Sequence, residues 1–202
     1  MTSFYRRKKA NLTVLFIGIL SSACASKNFL TIKYQLPPQP VERKEMKVAL
    51  AVKDIREDPV IATKSAKMAL KDFTEHFALI VAQENKNDKL VGAFGLNSMI
   101  KEIFEYRIEN AGAVVTAEED PSTPLVEIVL KEFKIDLQNR KWIITMGYQA
   151  NLVKQDRIVT GQTVSGSAER MRVVGSKDAE IIVGELVTDM ANKLNVNELL
   201  QF

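Results

Sequence analysis

The chain has 202 residues, of which 46 % are hydrophobic, and this length suffices for a single domain with a real core. Its one cysteine excludes an intramolecular disulfide, and its one histidine leaves no Cys/His cluster with zinc-ligand spacing. The formal charge is +3, but four of the 28 basic residues precede residue 24, which leaves 24 basic residues against 25 acidic ones. That remainder, formally −1, argues against a nucleic-acid partner.

The first 23 residues have the three-part layout of a secretory signal peptide. A basic block at residues 6–9 precedes the apolar run LTVLFIGIL at residues 12–20, and the small residues Ser21, Ser22 and Ala23 follow. The apolar run is shorter than the roughly 20 residues that a helix needs to span a bilayer. Residues 1–23 are therefore predicted to be a cleaved leader and not a permanent transmembrane helix.

Small residues leading directly into Cys24 resemble the signals of bacterial lipoproteins. The resemblance implies cleavage before Cys24, diacylglycerol transfer to its sulfur and acylation (typically palmitate) of the new amino terminus. Cys24 is accordingly predicted to be the lipidation site, with an ordinary signal peptide or a reactive thiol as the alternatives. Ala25 and Ser26 follow in place of the aspartate of an inner-membrane retention signal. The expected location is the outer membrane, with the domain facing the periplasm.

After the lipidated cysteine, residues 24–45 are predicted to form a tether, because Pro37, Pro38 and Pro40 stiffen the chain. The apolar residues within 29–34 also suit an edge strand. Residues 46–202 are predicted to be a single periplasmic domain.

The domain is predicted to begin with a buried strand, KVALAV at residues 47–52, and to continue with a second, HFALIVA at residues 76–82. Residues 60–73 between them are ambiguous. A helix follows Asn97 and ends at Gly112, since its apolar residues recur at helical spacing. VVTA at residues 114–117 is predicted to be a short strand.

Three longer segments, 125–137, 142–153 and 158–170, alternate in polarity and are joined by short connections, which predicts an antiparallel meander. The apolar phase of the first segment switches near Lys131 and Glu132, where a bulge is expected. A final helix, capped by Ser176, carries an apolar stripe over four turns. The predicted fold class is α+β, a mostly antiparallel sheet with two helices packed on one face.

The candidate binding residues are Asp54, Arg56 and Asp58, in the segment DIRED that follows the first strand. Paired carboxylates serve acid/base chemistry or hold a hard metal ion. The alternative is a solvated strand end with local ion pairs. The sequence assigns no catalytic residue, no metal ligand and no cofactor.

Two further features have ordinary structural interpretations. Gly92 and Gly95 precede a helix start, where N–H groups can bind an anion, but their spacing matches neither a P-loop nor GxGxxG, so a turn is expected. His76 lies beside Phe77 in a predicted strand without a recognisable catalytic partner.

The order of these elements, the D-x-R motif at residues 54–56 and the ending NELLQF at residues 197–202 resemble the YajG-type family of bacterial envelope lipoproteins. The resemblance spans about residues 24–202 and implies a small α+β envelope lipoprotein with no enzymatic activity and no catalytic residues.

The predicted function is that of a lipid-anchored accessory lipoprotein, not an enzyme, which binds another envelope protein or complex. Two alternatives stay open at this point. One is a carrier of an apolar ligand such as a lipid, held between sheet and helices. The other is an enzyme that uses the acidic cluster from Asp54 to Asp58.

Overall fold

The computed structural model describes residues 28–39, 46–71, 73–84, 86–117, 122–173 and 177–201, so the leader and Cys24 lie outside the described residues. Within these ranges the chain forms eight strands and four helices. In chain order they are β1 (Asn28–Gln35), β2 (Lys47–Asp54), α1 (Lys64–Ala69), β3 (Phe73–Ala82), β4 (Lys89–Gly95), α2 (Leu96–Asn110), β5 (Val114–Val115), β6 (Leu125–Gln138), β7 (Lys141–Lys154), β8 (Arg157–Met171), α3 (Lys177–Lys193) and α4 (Val196–Leu200).

A five-stranded sheet with the order β5-β2-β6-β7-β8 contains the predicted meander. β6, β7 and β8 are antiparallel neighbours joined by two-residue turns. Both residues of each turn, Asn139 and Arg140 and then Gln155 and Asp156, have positive φ. That backbone geometry matches the twist of the flanking strands, which is why such short connections close long hairpins here.

A second sheet of three strands has the order β1-β3-β4, and it adds pairings that the sequence did not indicate. β1 and β3 are parallel, and β2 is parallel to both β5 and β6. The predicted antiparallel character therefore holds for the meander and for β3 with β4, but not for the amino-terminal strands. The α+β class is confirmed, with strands predominating.

The expected bulge is present in β6, where the pairing with β7 shifts register between Leu130 and Glu132. Before the shift Val126, Ile128 and Leu130 are buried, and after it Phe133 and Ile135 are buried. The extra residue thus returns apolar side chains to the same face of the sheet.

The two long helices, α2 and α3, pack on one face of the five-stranded sheet, here called the inner face, as predicted. The buried side chains of β7, from Trp142 to Leu152 at every second position, form this face and are almost completely inaccessible to solvent. Phe104 of α2 meets Tyr148 edge to face at 4.9 Å, and the Tyr148 hydroxyl donates to the Met190 carbonyl of α3 at 2.9 Å. Tyr148 therefore links both long helices to the sheet.

The segment predicted as a tether contains β1, which belongs to the domain. Leu30, Ile32 and Tyr34 are buried, and β1 pairs with β3 along its length. Its other edge lies against α3, where side chains of the helix bond its backbone: Thr31 N–H donates to Glu180, Gln35 N–H to Thr188, and the Gln35 carbonyl accepts from Asn192. The alternation of apolar residues in β1 decides this outcome, since it supplies a buried face.

The helix boundaries follow the sequence with small differences. α2 begins at Leu96 with Gly95 as its N-cap, where Asn97 was expected to cap, and no side chain caps it. Gly92 and Gly95 lie in β4 and at its end, and not in the predicted turn. The expected cap Ser176 lies outside the described residues. Among the described residues, no helix is both long and apolar enough to cross a membrane.

Candidate functional site

The DIRED segment begins at Asp54, the last residue of β2, and continues into the loop that follows, and its Asp54 and Arg56 bind each other. The Arg56 Nε–H donates to Asp54 Oδ1 at 2.9 Å and Nη2 donates to Oδ2 at 2.8 Å. The Arg56 side chain is only 6 % exposed, and its Nη1 contacts the Phe133 carbonyl just after the bulge at 3.4 Å. A bidentate pair of this kind fixes both groups in one geometry.

Asp58 closes the other end of the same loop. Its carboxylate accepts from the Val60 N–H at 2.9 Å and pairs with the Lys134 ammonium of β6. Ile55 between the two ion pairs is 56 % exposed. The loop thus presents an apolar side chain flanked by two paired charges.

These residues border a cleft of about 680 Å³ on the outer face of the five-stranded sheet, opposite the helices. We call it the bulge cleft. The loop after β2 forms one wall, the bulge of β6 forms its base, and β7 and β8 complete it. Its lining consists of Ile55, Arg56, Glu57, Asp58, Lys131, Glu132, Phe133, Lys134, Gly147, Tyr148, Thr163, Val164 and Ser165.

The cleft brings together two of the three predicted binding residues with charged residues that sequence reasoning did not select. Arg56 and Asp58 line it, whereas Asp54 acts through Arg56. Lys131 and Lys134 join them from β6, and Lys131 donates to Gln149 Oε1 at 2.7 Å. The bulge near Lys131 and Glu132 was the signal in the sequence that an unusual surface forms here.

The acidic residues of the loop are poorly suited to general acid/base chemistry near neutral pH. Hydrogen bonds from Arg56 lower the pKa of Asp54, and the hydrogen bond from Lys134 lowers the pKa of Asp58. A general acid or base works best with a pKa near the operating pH, and the pKa values of both carboxylates are shifted away from neutral pH. Among the described residues, no group of three Cys, His, Asp or Glu side chains could hold a metal ion.

His76 lies on β3, away from the bulge cleft, and its Nδ1 lies 2.8 Å from the Thr74 carbonyl. Its ring meets Phe29 at 6.3 Å between centroids. These are local contacts within the three-stranded sheet, and they place no nucleophile beside the imidazole.

Arg107 of α2 is a partly buried cation that the sequence did not indicate. Burial lowers its pKa, and its Nη2 donates to the Leu194 carbonyl at 2.9 Å, while Nε has no partner among the described residues. Burial raises the pKa of the neighbouring Tyr34 and Tyr148, although the charge of Arg107 opposes that shift. The sequence does not indicate how far an arginine in a predicted helix is buried. Only the tertiary contacts reveal that Arg107 lies near Tyr34 and Tyr148.

No protein-family model matches the sequence, and no curated protein matches it. Among solved structures, the chain is similar to protein XCC0632 from Xanthomonas campestris, of the family DUF330, with a TM-score of 0.55 and 13 % identity over 85 % of this chain and 94 % of that chain. This similarity shows a shared fold.

Two bacterial lipoproteins are more distant in structure. Rare lipoprotein B from Shewanella oneidensis has a TM-score of 0.39 and 8 % identity over 76 % of this chain and 91 % of that chain. A minor lipoprotein from Acinetobacter baumannii has a TM-score of 0.39 and 8 % identity over 78 % of this chain and 96 % of that chain. Scores this low carry no argument about this chain, and the YajG-type resemblance stays a prediction.

Proposed function

We propose that this protein is a lipid-anchored accessory protein of the bacterial envelope, without catalytic activity, which binds a protein partner over the bulge cleft. The observation that carries the proposal is the cleft itself, a volume of about 680 Å³ whose rim combines the exposed Ile55 with ion pairs of fixed geometry. An apolar anchor point surrounded by polar groups is the usual composition of a protein-binding surface.

The charges around the bulge cleft favour a protein over a small charged metabolite. Arg56 is paired with Asp54, and Lys134 with Asp58. A phosphate or carboxylate ligand that bound Arg56 or Lys134 would have to displace these carboxylates, at the cost of leaving them without a counter-ion. A protein surface with alternating charges can instead add hydrogen bonds around the rim without breaking either pair.

The proposed anchor lies close to the domain. β1 begins at Asn28, so only residues 25–27 separate the domain from Cys24. Four residue steps span at most about 14 Å of extended chain. A lipid on Cys24 would therefore hold the domain against the membrane surface, within reach of the membrane-proximal parts of a partner.

Site-specific crosslinking in intact cells tests this proposal. A photo-reactive residue is placed at Ile55, and a matched control at Met68 of α1, which is 68 % exposed and lies outside the cleft lining. We expect one dominant crosslinked protein from position 55 that is absent from position 68. In the same background, Lys134→Glu should abolish that product, because it places a like charge beside Asp58 and opens the rim. The same products from both positions would contradict the proposal.

A second candidate function has support from a different surface. The side chains of β7 fill the space between sheet and helices, so the predicted lipid position there is occupied. However, a groove of about 370 Å³ runs along the outside of β1 and α3, with Thr31, Ile181 and Thr188 among its lining residues. Its surface is mostly apolar, which suits one acyl chain. Native mass spectrometry of the purified chain should then show a copurified lipid that Ile181→Asp removes.

A further inference from the structure

The edge strand β8 ends the five-stranded sheet with an unpaired edge of unusual length. β8 has 15 residues, and β7 is its only neighbour among the strands of the described residues. Among the described residues, no hydrogen bond to the backbone of residues 158–170 comes from outside the pairing with β7. A row of free N–H and C=O groups of this kind is a template for one more strand.

The other sheet edges are protected or short. Along β1, Glu180, Thr188 and Asn192 of α3 bond the free backbone groups, and Gly184 lets the helix approach closely. β5 has two residues, and β4 has seven, of which two are glycine. Proteins usually blunt an edge strand with charges or proline. Residues 158–168 of β8 contain neither.

We propose that β8 pairs with β8 of a second copy of this chain, antiparallel about a two-fold axis at Ser165. This inference stands on the edge of β8 alone and does not rest on the proposed function. A two-fold axis uses the same surface on both copies, so an edge whose central residues 160–168 carry no charge is compatible with itself.

The register about Ser165 brings compatible side chains together. It uses residues 160–170, the regular part of β8 beyond the register shift near Val159. Each pair joins a larger side chain to a smaller one, and no like charges face each other. The opposing pairs are Thr160 with Arg170, Gly161 with Glu169, Gln162 with Ala168, Thr163 with Ser167 and Val164 with Gly166, with Ser165 opposite its own copy.

This pairing has a consequence for the bulge cleft. The axis runs perpendicular to the sheet, so the outer faces of both copies lie on the same side. Thr163 and Ser165 line the cleft and also lie at the axis. The two clefts therefore become neighbours on one continuous sheet of ten strands, five from each copy.

Disulfide trapping tests the register. Ser165→Cys is introduced into the full chain, purified in mild detergent and oxidised, with the parent chain and Lys131→Cys as controls. Opposing Cα atoms in an antiparallel pair lie about 4.5–5.5 Å apart, within the range that a disulfide spans. In the proposed dimer, the two Lys131 residues lie on the β6 strands of the two copies, which are five strand spacings apart, roughly 24 Å. We expect a covalent dimer from Ser165→Cys, and none from the parent or from Lys131→Cys.

A charge substitution measures the association itself. Ser165→Lys places two lysines directly opposite each other at the axis, with Cα atoms about 5 Å apart. Their like charges should raise the dimer dissociation constant, measured by light scattering, by up to about fivefold. Gln155→Lys in the β7–β8 turn adds the same charge away from the axis and should leave the constant unchanged. A monomer at every concentration, or equal trapping through Lys131→Cys, would overturn the proposal.

Discussion

Asp54 at the end of β2 and Arg56 in the following loop form a two-point ion pair, and the same arginine ties the loop to β6 beside its bulge. The two nitrogen–oxygen distances are 2.9 and 2.8 Å, and Nη1 of the same guanidinium reaches the Phe133 carbonyl at 3.4 Å. The D-x-R motif is therefore a structural device that shapes one wall of the bulge cleft. Its aspartate holds the arginine, and the arginine positions the loop.

Replacing Asp54 with asparagine should destabilise the protein at neutral pH and not in acid. The folded state lowers the Asp54 pKa through the Arg56 hydrogen bonds, so its stabilisation is present above the unfolded pKa and is lost as pH falls through the folded one. Urea unfolding of parent and Asp54→Asn should therefore differ at pH 7 and converge once the pH falls below the lowered pKa of Asp54. Asp156→Asn in the β7–β8 turn is the control, and an equal loss from it would contradict the assignment.

Removing the Asn192 side chain should weaken the attachment of β1 to α3. Asn192 accepts from the buried Tyr34 hydroxyl at 3.1 Å and donates to the Gln35 carbonyl at 2.9 Å. Asn192→Ala leaves a buried donor unsatisfied and should lower the free energy of unfolding by roughly 1–3 kcal/mol.

A double mutant separates this effect from a general loss of packing. Tyr34→Phe removes the orphaned hydroxyl, so combining it with Asn192→Ala should cost less than the sum of the two single changes. Denaturant unfolding of all four chains gives the coupling energy. Simple additivity would show that the hydroxyl is satisfied in another way.

Gly184→Ala should be costly because α3 crosses β1 closely at this position. An added Cβ would lie 3.1 Å from the Lys33 carbonyl oxygen and 3.3 Å from the Lys33 nitrogen, and backbone cannot move aside as a side chain can. We expect a loss of roughly 1–3 kcal/mol in the free energy of unfolding. Gly95→Ala, where nothing lies within 4 Å of the new Cβ, is the matched control and should cost far less.

Cys24→Ser tests the predicted anchor. If the Cys24 sulfur carries the lipid, the variant should leave the membrane fraction and lose incorporation of labelled palmitate, whereas Ser26→Ala should behave as the parent does. Fractionation followed by immunoblotting measures both variants. Membrane association that survives in Cys24→Ser would remove the basis for the proposed anchor.

The meander and the two long helices were predictable because their information is local. The alternation in 142–153 specifies which side chains of β7 are buried, and the phase switch near Lys131 anticipates the bulge that the structure contains. Positive φ in both turn residues of each hairpin permits the short connections that the segment lengths implied.

The parallel pairings and the bulge cleft were not predictable in the same way. β1 pairs with β3 across more than forty residues of sequence, and β2 pairs with β6 across more than seventy. No local sequence pattern specifies such a partner strand, since any strand with a buried face and a free edge could pair at the same position in the sheet. Lys131 and Lys134 likewise meet the DIRED loop only because β2 lies beside β6.

By itself, the sequence of this protein determined the leader-like segment before Cys24, the class of the fold, the long meander and the residues of the D-x-R motif. These features follow from composition, periodicity and short spacing, which are properties of neighbouring residues. The tertiary structure alone decided that β1 pairs with β3, and that Arg107 is partly buried near Tyr34 and Tyr148. It also decided that, among the described residues, β1 is covered by α3 while one edge of β8 has no partner strand. Those outcomes depend on which surfaces, distant in sequence, are buried against each other, and burial is a property of the folded chain.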